Sequence, residues 1–146
     1  MTRGLLQLIR TGALLGTLTA GVAACGGGSG GGEPGASVEI VEPVSGVTAS
    51  SPVRVALQAH GIEIAPAAEL RAGTAHHHLF LDRDVTPMSD TIPAGLTGII
   101  HLGRGQTEFV FDSLTPGSHR VIAVLADPGH VPIPGAATDT IMFTVP

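Results

Sequence analysis

The chain has 146 residues, 43% of them apolar, a formal net charge of −5, no lysine, no tryptophan, no tyrosine and a single cysteine. An acidic chain repels phosphate backbones and anionic headgroups, which argues against nucleic acid as a partner and against membrane binding through the protein surface. One cysteine excludes a disulfide framework and a thiolate metal site, so stability has to come from a packed core.

Arg3 and Arg10 supply a charged start, Ala13 to Ala24 form an apolar stretch too short to span a bilayer, and small residues lead up to Cys25. The run Val22-Ala23-Ala24-Cys25 resembles a bacterial lipobox. That resemblance implies a signal peptide over residues 1–24, cleavage before Cys25 and a lipid on its sulfur. The expected location is the cell envelope, anchored through that lipid and facing the periplasm or the outer surface. Loss of the two signal arginines leaves five arginines against twelve acidic residues, a net −7 with neutral histidines. Residues 25–36, glycine-rich after Cys25, cannot bury apolar surface and are expected to act as a flexible tether.

From residue 37 to residue 146 apolar residues recur in short runs broken by Pro, Gly, Ser and Asp, the pattern of strands. Strands are predicted at Ser37 to Val41, Val53 to Ala59, His77 to Asp82, Gly98 to Leu102, Thr107 to Asp112, His119 to Ala126 and Thr138 to Val145. The alanine-rich piece Ile64 to Ala72 carries Pro66 and no sustained apolar stripe, so it supports at most a turn or two of helix. Seven short strands in about 110 residues predict an all-β, immunoglobulin-like antiparallel sandwich. Ile40 to Gly46 with Ser51 to Val55 resembles the first two strands of bacterial immunoglobulin-like domains, and Leu114 to Asp127 resembles their penultimate strand.

The chemistry of the chain lies in its histidines. In a strand alternate side chains share a face, so His76 and His78 project together with Cα atoms about 6.6 Å apart, a spacing that lets two imidazoles meet one ion. His77 points the other way with Leu79 and Leu81, leaving His76, His78, Phe80 and Asp82 on the opposite face. In an immunoglobulin-like topology His60, His76 to His78, His101 and His130 all fall at one pole, whereas His119 belongs to the other, where sandwich domains often place a corner tyrosine bonded to nearby backbone. Two readings of the cluster follow. In one, His76, His78, His101 and His130 bind a divalent metal, zinc or cupric copper, with His77 and Asp127 as supporting partners; only Met88 and Met142 remain outside the signal, which argues against cuprous copper. In the other, the histidines bond to one another and to Asp82 or Asp127 and close the end of the sandwich. Asp127, in Ala126-Asp127-Pro128-Gly129, also suits a turn residue that bonds its own backbone.

No catalytic constellation stands out: Ser89, Ser113 and Ser118 lack the glycine flanks of a nucleophile elbow, and Gly103-Arg104-Gly105 reads as a hairpin turn. The long connection Arg83 to Leu96, with Pro87 and Pro93, is expected to bind a partner or to cover the second apolar face formed by Ile122, Val124 and Ala126; a dimer interface is the other use of that face. The class competing with metal binding is therefore a metal-free interaction or structural module with an unidentified protein partner.

Four stretches, His76-His77-His78-Leu79-Phe80-Leu81-Asp82, His101 to Glu108, Pro116-Gly117-Ser118-His119 and Asp127-Pro128-Gly129-His130-Val131-Pro132, are similar to the domain of unknown function 4399 family. The resemblance spans about Val38 to Val145. It implies that His76, His77, His78, His101, His119 and His130 belong to the family's motif and His60 does not, and it supplies no reaction.

Overall fold

Eight strands carry the chain through residues 35–146, the part described by this computed structural model. The expected signal segment, Cys25 and the glycine run after it lie outside the described residues. The strands are β1 (Ser37–Glu42), β2 (Val53–His60), β3 (Glu63–Ile64), β4 (Thr74–Leu81), β5 (Ile99–Leu102), β6 (Glu108–Phe111), β7 (Gly117–Ala126) and β8 (Asp139–Val145). All seven expected strands are present. β3 is an addition, and the alanine-rich piece holds one short 3-10 turn, Ala67–Glu69, directly after Pro66.

Two sheets face each other. One has the order β1-β2-β6; the other runs β4-β7-β8 with β5 on β4, and β3 joins the start of β4 in parallel. The remaining strand pairs are antiparallel. The result is a sandwich of the immunoglobulin-like kind, with isolated parallel bridges from Ser37 of β1 to Ala137, just before β8, and from Thr48, between β1 and β2, to Thr144 of β8. Strict alternation fills the core between the sheets: in β8 Ile141, Phe143 and Val145 are buried, while Thr140, Met142 and Thr144 are exposed. They meet Val38, Ile40, Val53, Val55 and Leu57 from the first sheet. Each such side chain contributes about 1.5–3 kcal/mol by leaving water.

β4 and β7 depart from simple alternation because both of their faces are covered. Ala75 and Leu79 enter the main core, while Phe80, on the other face, packs with Ile92, Ile122, Val124 and Ala126 in a second cluster. Ile92, only 2% exposed, comes from the long connection between β4 and β5, so that connection covers the second apolar face. Its amide also donates to the His130 carbonyl at 2.8 Å, which ties the cover to the loop between β7 and β8.

Asp82 does not continue the face of His76 and His78. β4 ends at Leu81 and Asp82 takes a left-handed φ of 52°, which turns its carboxylate toward β7. There Oδ1 accepts from the Arg120 amide at 2.8 Å and Oδ2 accepts from His119 Nδ1 at 2.7 Å. His119 Nε2 donates to the Thr115 carbonyl at 2.8 Å, the backbone-bonded corner expected of it. Both ring nitrogens thus face oxygen acceptors, an arrangement only the imidazolium satisfies. The His119 pKa is raised accordingly, first by the Thr115 carbonyl and then by Asp82, against the opposing effect of burial.

Candidate metal centre

The sheet ladder sets the positions of three histidines. His76 and His78 lie two apart in β4, and His78 is paired across the ladder with His101 of β5, so all three side chains leave the same face. That face is the covered outer one, since His76 and His78 stand opposite Ala126 and Val124 of β7. The fourth histidine arrives from a tight turn. The His130 amide donates to the Asp127 carbonyl at 2.8 Å, Asp127 Oδ1 accepts from the Val131 amide at 3.0 Å, and His130 adopts a left-handed φ of 66°. A non-glycine residue held there costs of order 1–3 kcal/mol, a strain that the surrounding structure has to sustain.

These four imidazoles converge. One ring nitrogen from each of His76, His78, His101 and His130 lies within 4.8 Å of the other three. His76 Nε2 is 3.0 Å from His78 Nε2, and His130 Nε2 is 3.2 Å from His101 Nε2. A zinc ion with four nitrogens at 2.0–2.1 Å requires tetrahedral edges of about 3.3–3.4 Å, so the two short pairs are already near the spacing of opposite edges. His76 and His78 are fully buried, while His101 is exposed and His130 partly so.

Electrostatics keep the nitrogens available. Burial, reinforced by the neighbouring rings, lowers the pKa of His76 to about 4 and of His78 to about 3. His101 is lowered as well, by burial and then by His130. Neutral imidazoles are the ligating form, so the lone pairs are free at neutral pH. The Nδ1 atoms of His76 and His78 are buried without a hydrogen-bond partner. When two neutral rings share one Nε2–H···Nε2 bond, one of them must carry its proton on Nδ1, so hydrogen bonding between this pair leaves a buried donor unpaired. Four imidazole nitrogens, with no thiolate and no carboxylate, suit zinc and cupric copper.

Of the two expected supporting partners, neither offers a ligand atom to the group. His77 faces the main core, as strand alternation requires, and its Nδ1 is 3.0 Å from the Gln106 carbonyl, away from the converging nitrogens. Asp127 presents no ligand atom to the group; it builds the turn that delivers His130. His60 is outside the group too, in a surface pair 3.6 Å from Glu39. His119 stands at the far end of β7, seven residues from Ala126, or about 23 Å along the strand. Gly103, which the sequence offers only as a turn residue, lies directly against the His101 ring.

Residues 55–146 match the family described as Domain of unknown function (DUF4399), a span from β2 to the end of the chain that contains all four converging histidines. The chain belongs to the DUF4399 family. No curated protein and no solved structure matches it. The family description carries no activity, so the chemistry of this DUF4399 domain has to be read from the site itself.

Proposed function

We propose that the DUF4399 domain binds one divalent transition metal, zinc or cupric copper, through His76, His78, His101 and His130. The observation that carries this reading is the convergence of four imidazole nitrogens within 4.8 Å, drawn from two strands and a loop. Four protein ligands complete a tetrahedron and leave no position for a substrate, so the centre suits holding or passing on an ion rather than metal-assisted hydrolysis. The setting we propose is the cell envelope, with the domain tethered to a membrane by a lipid on Cys25.

Metal analysis tests this directly. Protein prepared without a histidine tag, loaded with zinc or copper and desalted at pH 7.5, is expected to retain about one ion per chain, and His76→Ala/His78→Ala to retain none. Wild-type protein that stays metal-free after loading with both ions overturns the reading in favour of a metal-free interaction module.

A further inference from the structure

Gly103 follows β5 directly and stands two residues beyond His101. A Cβ placed on Gly103 would lie 2.1 Å from His101 Nε2, 2.2 Å from Cε1 and 3.1 Å from Cδ2. The two shorter distances are far inside van der Waals contact, so a side chain at 103 and the His101 ring in its present position exclude each other. The obstacle is the ring alone: Gly103 does not adopt the left-handed φ that would itself require glycine. The ring also packs against His78, with centroids 4.9 Å apart and planes inclined by only 23°. His101 is therefore clamped between the His78 ring and a bare stretch of its own backbone, and being exposed it has solvent to swing into if pushed.

We propose that Gly103 is a positioning residue that fixes the coordination number of the centre: its missing side chain lets His101 complete a four-histidine set, and any side chain at 103 leaves three histidines and a position open to solvent. The inference rests on the metal reading above and adds a consequence to it. A three-histidine ion with one open position is the arrangement of catalytic zinc, whereas four ligands close the ion off. Gly103 thus keeps this centre in the closed class.

The test is Gly103→Ala, examined first without metal. The ring-to-ring contact between His78 and His101, read by proton NMR cross-peaks, is expected to disappear, while the melting temperature stays within a few degrees of wild type because only an exposed side chain moves. With metal, zinc affinity is expected to fall about 10- to 100-fold, the range typical of lost support around a ligand. The visible spectrum of the cobalt(II) form is expected to lose the intensity of a four-nitrogen tetrahedral ion. Addition of Gly103→Ala to His101→Ala should cost no further affinity, since Gly103 acts only through that ring. Retention of the ring contact, a wild-type cobalt spectrum, or an added loss in the His101→Ala background each overturns the proposal. If wild-type protein binds neither cobalt nor zinc, the metal reading fails and the coordination role with it; the NMR contact then shows separately whether Gly103 positions the ring.

Discussion

Acidification should destabilise this fold through His76 and His78. Both have folded-state pKa values well below the ordinary histidine value of 6.5, at about 4 and about 3. The unfolded chain therefore binds protons that the folded chain refuses, and stability falls as pH drops below 6.5 until the folded pKa values are reached. Each such group costs about 1.4 kcal/mol per pH unit in that window, so at pH 5 the pair together costs about 4 kcal/mol, a large share of the 5–15 kcal/mol that holds a typical domain folded. Urea denaturation of chelator-treated protein at pH 7.5 and pH 5 measures the difference. His119 has the opposite sign: its raised pKa gives stability that is fully present below pH 6.5 and is lost as pH climbs through the folded value. Comparison with His76→Gln/His78→Gln, which removes the two most strongly lowered groups and keeps His77, His101 and His119, isolates their effect as a flatter response to pH. Wild-type stability that changes by less than about 1 kcal/mol between the two pH values, or a double variant as acid-labile as wild type, would refute the reasoning.

Zinc or copper at 100 times its dissociation constant at pH 7.5 should add about 2.7 kcal/mol at that pH and little in His76→Ala/His78→Ala, visible as melting-temperature shifts; because His76 and His78 stay neutral in the fold until about pH 4, protons compete for their nitrogens, and the shift is lost, only around and below that pH. His60→Ala should leave those shifts intact, because its ring pairs only with Glu39 at the surface. Phe80→Ala is expected to cost about 3–5 kcal/mol in denaturant titrations, since the ring is 1% exposed beneath Ile92. His119→Gln should destabilise more at pH 5 than at pH 8, following the sign worked out above. Under the proposed lipid anchor, Cys25→Ser is expected to yield an unprocessed or freely released chain in detergent partitioning; a processed serine variant that still fractionates with membranes would contradict the lipobox reading.

Much of the architecture is legible in the sequence because proline, glycine and aspartate punctuate nearly every strand and because alternation is clean where one face is wet, as in β8. The pairing of His76 with His78 follows from the two-residue period of a strand, and the approach of His101 and His130 follows once an immunoglobulin-like topology is assumed. What the sequence hides is the burial of β4 and β7 on both sides. It depends on Ile92, a single apolar residue in a proline-containing connection, and one residue carries no periodic signal. Asp82 is misplaced for a related reason: the left-handed residue that ends β4 is an aspartate, where glycine would have marked the stop. Gly103 was hidden because its function is the space it leaves for a ring two residues earlier, a relation visible only in three dimensions.

If the four histidines hold an ion as proposed, their division between ladder and loop would also set the order of events when it arrives or leaves. His76, His78 and His101 stand on paired strands whose backbone hydrogen bonds fix their spacing before any ion is present. An arriving ion would thus meet three backbone-spaced histidines, and most of the entropy of arranging ligands would fall on the turn at Asp127 to His130. Departure of a bound ion would run in reverse if the turn that carries His130 opens before the paired strands do. Since the Ile92 amide is bonded to the His130 carbonyl, that release also slackens the cover over Phe80. Residence time would then be governed by how often this turn opens, a rate set by backbone bonds more than by the strength of any single metal–nitrogen bond.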